Sequence, residues 1–271
     1  MQVGNPAAAR QVQSYHQVAL TEQAAAHVPT KQAPPMFPDK LKRLSSFLSR
    51  ELQVVGLRPR DRFLYLRDRA FFLLQYYMGE RGGDLAKLVV QEIFRLPDGQ
   101  GLLIRQTFGK NRTENVSVVS CCTDSRFCAV TALDEYMSGV TSLGICIDSG
   151  YVFRTTTSDG RVLGEKISQP AINRRLQTYL TAIGAFGGET THSIRGGCAI
   201  LLKLTHASEH ESKSHIGWKS DSCWEHYSRS RTVESLHVAG TLAQVFEKGS
   251  QIGEVYKFQE LAIDRLPSAY C

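Results

Sequence analysis

From Ala70 to Met78 every residue except Gln75 is apolar, the longest such run in the chain. A transmembrane helix needs about 20 apolar residues, so this run is half a span and belongs to a buried helix of a globular domain. The surrounding pattern predicts that helix over 61–78, with Asp61 as N-cap and Gly79 closing it. Phe63, Tyr65, Phe71, Phe72, Tyr76 and Tyr77 read as core. The chain has 271 residues, room for one good-sized domain with or without a smaller partner. Its 42% hydrophobic and 21% charged residues exclude a disordered or collagenous chain. The first ten residues carry no apolar core flanked by basic residues, so they do not form a secretory signal. Seven cysteines, with Cys121 and Cys122 adjacent, read as reduced thiols of an intracellular protein.

Residues 1–38 are rich in Ala, Gln and Pro and lack sustained periodicity; they read as a tail or linker with one short helix over 9–26. Leu41, Leu44, Phe47, Leu48 and Leu52 then recur at helical spacing up to Gly56. Residues 88–96 and 102–108, parted by the turn Pro97-Asp98-Gly99-Gln100-Gly101, read as two strands. A second turn at Gly109-Lys110-Asn111-Arg112 leads to a third strand carrying Val116 and Val118. The remainder reads as helical: 127–139, 168–184 with Ser168 as cap and Pro170 just inside, 193–204, 221–227, 233–247 and 254–263. Residues 205–214 read as a polar turn. The fold class is therefore α+β, mostly α, with a small three-stranded antiparallel sheet.

Four polar clusters lie beside turns or helix ends. They are Arg81 and Asp84 within Gly79-Glu80-Arg81-Gly82-Gly83-Asp84-Leu85, Lys110 on the hairpin, His192-Ser193-Ile194-Arg195, and Gly217-Trp218 followed nine residues later by Tyr227. In this order and spacing the set resembles the catalytic residues of the tyrosine recombinases, the phage-integrase family. The resemblance covers about residues 60–250. It implies a helical DNA breaking–rejoining catalytic domain acting on double-stranded DNA, without metal, ATP or other cofactor.

The implied roles suit the residue types. Tyr227 is the nucleophile that takes up the scissile phosphate as a 3′-phosphotyrosyl link, which conserves the energy of the phosphodiester. Arg81 and Arg195 offer planar forks to the non-bridging oxygens as charge builds on phosphorus. Lys110 is the candidate acid for the leaving 5′-oxygen, its pKa lowered by neighbouring cations. His192 accepts the tyrosyl proton or donates to the phosphate. Trp218 stands where most members carry His and supplies an indole N–H. Asp84 is a buttress for an arginine.

Thirty-two Lys and Arg against twenty-six Asp and Glu give a net charge of +6, which permits a nucleic-acid partner without demanding one. Basic residues cluster at Arg58, Arg60, Arg62, Arg67 and Arg69, and at Arg112, Arg174, Arg175, Arg229 and Arg231. Of these Arg112, Arg174, Arg175 and Arg229 are the expected DNA-backbone contacts. His206-Ala207-Ser208-Glu209-His210, with His215 nearby, imitates a zinc-binding His-x-x-Glu-His, but it falls in the expected turn and no metal is expected. No paired Cys-x-x-Cys and no phosphate-binding Gly-x-x-x-x-Gly-Lys loop occurs.

The expected domains are a tail at 1–38, a helical remnant of a core-binding region at 39–57, the catalytic domain at 58–250 and a C-terminal tail at 251–271. Only a short segment precedes the catalytic pattern, so either the family's core-binding domain is reduced to one helix or the chain is a fragment. The Cys- and Ser-rich middle and the Gly-Trp variant resemble eukaryotic transposon-borne recombinases of retroelement or Crypton type. The expected setting is intracellular and DNA-associated, nuclear in a eukaryote, with no membrane, and with homo-oligomers forming as a dimer on one site and a tetramer in synapsis. Relaxation by a type IB topoisomerase-like enzyme uses the same residues. A domesticated DNA-binding protein without cleavage needs no Tyr227.

Overall fold

A computed structural model describes residues 33–107, 115–205, 207–218 and 220–228, together with six positions between Val12 and Glu22. The chain divides into two compact units, Met1–Pro34 and Pro35–Cys271. In the first, the six described positions between Val12 and Glu22 are helical and exposed, on the segment expected as one short helix. The expected helices over 233–247 and 254–263 lie outside the described residues, as do Lys110, Arg112, Arg229, Arg231 and His206.

The second unit is mostly helical with a small three-stranded antiparallel sheet. Helix α1 (Pro38–Glu51) turns Leu41, Leu44 and Leu48 inward. Helix α2 (Pro59–Met78) starts two residues earlier than expected. Pro59 takes the first turn, where its missing N–H costs nothing, and Asp61 is not the cap but pairs with Arg58 at 2.7 Å. Phe63, Leu66, Phe71, Phe72, Leu74 and Met78 are all buried, because the helix is enclosed by α1, α4 (Ala129–Ser142) and α6 (Thr191–Leu204). This explains the apolar run: an all-round apolar helix is one with neighbours on every side. No helix among the described residues is long and apolar enough to cross a membrane.

A four-residue helix, α3 (Gly82–Leu85), leads to the sheet. Strand β1 (Ile93–Arg95) is shorter than the strand expected over 88–96, because a 3-10 turn occupies Val90–Glu92. The Glu92 carboxylate drives that turn: it accepts from the Val89 N–H at 3.2 Å and from the N–H and hydroxyl of Thr107 at 2.7 and 2.6 Å. Strands β2 (Gly101–Gln106) and β3 (Asn115–Ser120) follow, all antiparallel in the order β1-β2-β3, with Phe94 opposite Leu103 and Leu103 opposite Val118. The tip between β2 and β3, which carries Lys110, lies outside the described residues.

Two elements depart from the expected all-helical remainder. Strands β4 (Arg154–Thr156) and β5 (Val162–Lys166) form a second hairpin, turning at Gly160 with φ of 94°. The polar stretch expected as a turn contains helix α7 (Glu209–Ile216), started by a capping box in which Ser208 and Glu211 serve each other's N–H groups. Helix α5 (Gln169–Ala182) is capped by Ser168 with Pro170 in its first turn, as its sequence predicts, and α8 (Asp221–Ser228) ends the described chain.

Candidate active site

Gly79 ends α2 in the left-handed conformation, φ 58°, and turns the chain so that Arg81 stands at the N-cap of α3. Neighbouring glycines let this turn pack tightly: a β-carbon at Gly82 would lie 3.1 Å from Thr191, and one at Gly83 2.9 Å from Gln169. Thr191 opens α6, and its N–H donates to Asn173 of α5 at 2.9 Å. The Thr190 hydroxyl caps α6 by accepting from the His192 N–H at 3.2 Å. One turn on, Arg195 reaches back to the Gly79–Glu80 turn, while His192 is exposed.

The Arg195 guanidinium is fully buried. Its Nη1 donates to the Gly79 carbonyl at 2.6 Å and lies 3.6 Å from the Glu80 carboxylate, itself fully buried. The aromatic faces of Trp218 and Tyr227 cover it, with ring centroids 4.8 and 5.7 Å away. Trp218 reaches this place because α7 ends in left-handed Gly217, φ 73°, after which the Trp218 N–H returns to Lys213 O at 2.8 Å. Tyr227 is delivered by the last turn of α8, which the buried Trp224 anchors against Trp218 at 6.0 Å. Among the described residues nothing accepts from the buried Trp218 Nε1.

Arg81, Asp84, Lys87, Lys166, His192 and Tyr227 line an open cleft of about 580 Å³. Residues spread over more than 140 positions of sequence therefore face one space. Asp84 lies 3.7 Å from Arg81 Nη1 and accepts from Lys87 Nζ at 3.1 Å, so its carboxylate orients two cations. Lys87, Lys166, Glu80 and Trp224 belong to this neighbourhood and were not singled out from sequence. The position of Lys87, three residues after Asp84 on the same turn, was a readable signal; that of Lys166, on the unanticipated hairpin, was not.

One expected DNA contact, Arg175, is paired within the fold, as are Arg67 and Arg69 of the first basic cluster. Arg175 pairs with Asp68 and with the Tyr179 hydroxyl, while Arg67 binds the other oxygen of Asp68 at 2.7 Å and the Arg154 carbonyl at 2.9 Å. Arg69 is buried and pairs with Glu135. A buried guanidinium needs a carboxylate partner, and Asp68 and Glu135 supply it here. Arg174, on the opposite side of α5, is exposed. The Tyr179 hydroxyl, buried against Asp68, is pushed well above its ordinary pKa. Burial likewise pushes the Cys198 thiol up to about 12, so it is no nucleophile at neutral pH.

Of the zinc-like motif, His215 Nε2 lies 2.7 Å from the Tyr77 carbonyl oxygen. Among the described residues no group of three His, Cys, Asp or Glu side chains is placed to hold a metal ion.

No protein-family model matches the chain, and no curated protein matches it. Among solved structures it is similar to the XerH site-specific recombinase bound to a palindromic difH substrate in a post-cleavage complex. The TM-score is 0.57 at 13% identity, over 78% of this chain and 54% of that one. It is also similar to the XerA recombinase, with a TM-score of 0.51 at 17% identity over 74% of this chain and 61% of that one. The chain thus spans little more than half the length of these recombinases. What the likeness establishes is the fold, which this chain shares with the XerH and XerA recombinases.

Proposed function

We propose that this chain is a site-specific DNA recombinase or integrase that cuts and rejoins strands through Tyr227. The observation that carries the proposal is the gathering of Tyr227, Arg195 and Trp218 in one stack at the edge of a cleft that also holds Arg81 and His192. A protein that only bound DNA would have no use for a tyrosine over Arg195 in a cleft shared with Arg81.

In this reading Tyr227 Oη attacks the scissile phosphorus and gives its proton to His192 or to water. The Arg81 and Arg195 forks take the two non-bridging oxygens as the phosphorane forms. Trp218 Nε1 donates to one of the same oxygens. Lys110 protonates the leaving 5′-oxygen, leaving a 3′-phosphotyrosyl bond and a free 5′-hydroxyl. Attack by a 5′-hydroxyl from the same or a second duplex reverses the step, so no metal or nucleotide takes part in the scheme. XerH is recorded on its DNA substrate after cleavage, which supports double-stranded DNA as the partner here. A dimer on one site, joined to a second as a tetramer, is the assembly that exchange between two duplexes requires. The likeness to a transposon-borne enzyme of eukaryotes, and with it a nuclear setting, belongs to the same proposal.

The test uses a library of duplexes with a randomised core and a nick beside it, so that the short cleaved fragment diffuses away and the adduct is trapped. Denaturant-resistant protein–DNA complexes are recovered and sequenced. Adducts from the parent and none from Tyr227→Phe are expected. An absence of adducts from the parent, or equal recovery with Tyr227→Phe, overturns the proposal.

A further inference from the structure

Two buried polar side chains, neither of them among the residues lining the cleft, lie behind the arginines. Gln75 is the one polar residue in the apolar run, and it is fully buried. Its amide Nε2 donates to the Glu80 carbonyl at 3.0 Å and to the Thr191 carbonyl at 2.9 Å. Glu80 immediately precedes Arg81, and Thr191 immediately precedes His192. One amide therefore ties the turn carrying Arg81 to the start of the helix carrying His192 and Arg195.

Glu80 completes the link. One carboxylate oxygen accepts from the Arg81 N–H at 2.7 Å and lies 3.6 Å from Arg195 Nη1. A fully buried carboxylate costs several kcal/mol in desolvation unless it is paired. An apolar residue would fill the same space without that cost. Its position, touching the backbone of one arginine and the guanidinium of the other, accounts for the charge.

We propose that Glu80, held by Gln75, is a positioning residue that fixes the separation and orientation of Arg81 and Arg195. This rests on the recombinase reading for its effect on rate, and on geometry alone for its effect on Arg195. The Glu80 carboxylate and the Gly79 carbonyl together hold one end of the Arg195 fork in the interior. The Trp218 and Tyr227 rings lie over the guanidinium.

The test compares Glu80→Gln and Glu80→Asp with the parent in the full chain. Glu80→Gln keeps the volume and an acceptor for the Arg81 N–H but removes the charge; Glu80→Asp keeps the charge and retracts it. Two readouts are taken. The first is the rate of phosphotyrosyl adduct formation at saturating nicked duplex, alongside DNA affinity. The second is the nitrogen-15 signal of the Arg195 guanidinium, assigned with Arg195→Lys, which reports its rotation without any cleavage. The expected result for Glu80→Gln is a rate loss of about 100-fold with affinity unchanged, as for a small misplacement of a transition-state contact. Faster guanidinium rotation accompanies it. Glu80→Asp falls between Glu80→Gln and the parent in both readouts. Gln75→Leu, a near-isosteric apolar change, is expected to lower the rate in the same direction. Unchanged Arg195 signals in Glu80→Gln overturn the proposal, and so does a loss confined to melting temperature. If the parent forms no adduct, the recombinase reading fails while the guanidinium signal still decides the role of Glu80.

Discussion

The Tyr227 ring stacks on the Trp218 indole, with centroids 5.2 Å apart and planes 25° from parallel, and together they lie over Arg195. The guanidinium beneath is fully buried, so the proposed contact with a phosphate oxygen requires its cover to move, and the two rings are the part of that cover expected to do so. The buried Trp218 Nε1 has no acceptor among the described residues. Trp218→Phe keeps an aromatic face for Arg195 and Tyr227 but removes the N–H. Loss of one donor to a developing oxyanion typically slows the reaction about 100- to 1,000-fold. Trp218→Phe is therefore expected to slow adduct formation by that order while nicked duplex still binds. In a Trp224→Phe background, DNA binding should shift the emission of Trp218 as its ring leaves Tyr227. An unshifted spectrum with bound DNA contradicts the parting of the rings.

Lys87 and Lys166 reach the cleft from different elements, one tethered to Asp84 at 3.1 Å. If they meet DNA phosphates, each releases about one counterion on binding. Lys87→Ala and Lys166→Ala should each reduce the slope of log affinity against log salt by about 0.9. Lys166→Ala leaves Asp84 and Arg81 in place and serves as the cleaner measurement. A slope equal to that of the parent places the lysine off the DNA path.

Gly197 lies where the segment entering α1 crosses α6. The Met36 N–H donates to Ser193 O at 2.8 Å, and a β-carbon at Gly197 would sit 1.8 Å from Met36 O. Backbone cannot yield there as a side chain can. Gly197→Ala must push residues 35–37 off the helix and expose Met36, now fully buried. The expected loss is about 1–3 kcal/mol, the usual range for overpacking, read as a lower melting temperature. The neighbouring Gly196 has open space around it, so Gly196→Ala should be tolerated.

Lys40 of α1 pairs with Glu189, in the loop before α6. Burial on its own would raise the Glu189 pKa, but hydrogen bonds from Lys40 and the Gly187 N–H outweigh it and hold the carboxyl below its usual range. A lowered folded-state pKa means that the ionised form stabilises the fold. The contribution is therefore complete above the ordinary glutamate pKa of about 4.3 and is lost as pH falls through the lowered value. Lys40→Met should melt below the parent at about pH 6, with the difference closing toward about pH 3. A difference that persists in acid removes the ion pair as its cause.

Much of the framework was legible because its signals are local. Ser168 before Pro170 marked the start of α5, left-handed Gly79 the end of α2, and the apolar run its burial. The pairing of β2 with β3 followed from alternating residues on either side of a turn. The β4–β5 hairpin escaped notice because Thr155, Thr156 and Thr157 give no alternation of apolar and polar residues. Helix α7 escaped notice because its eight residues bury only Ser212 and Ile216, leaving polar composition to suggest a turn.

The sequence by itself determined which residue types stand at the helix starts and turns, and with them the order Arg81, His192, Arg195, Trp218, Tyr227. Only the tertiary structure decided which charges face the cleft and which are consumed in the interior. Arg175 and Asp68 are 107 residues apart, and Arg69 and Glu135 are 66 apart, yet each pair is in direct contact with one partner buried. A guanidinium in sequence is the same whether it will meet water, phosphate or carboxylate. The choice is made by desolvation, which depends on what the rest of the chain packs around it. Gln75 and Glu80 show the same dependence: one polar residue inside an apolar run and one just past it, given their meaning by the carbonyls and arginines that folding brings within 3.6 Å.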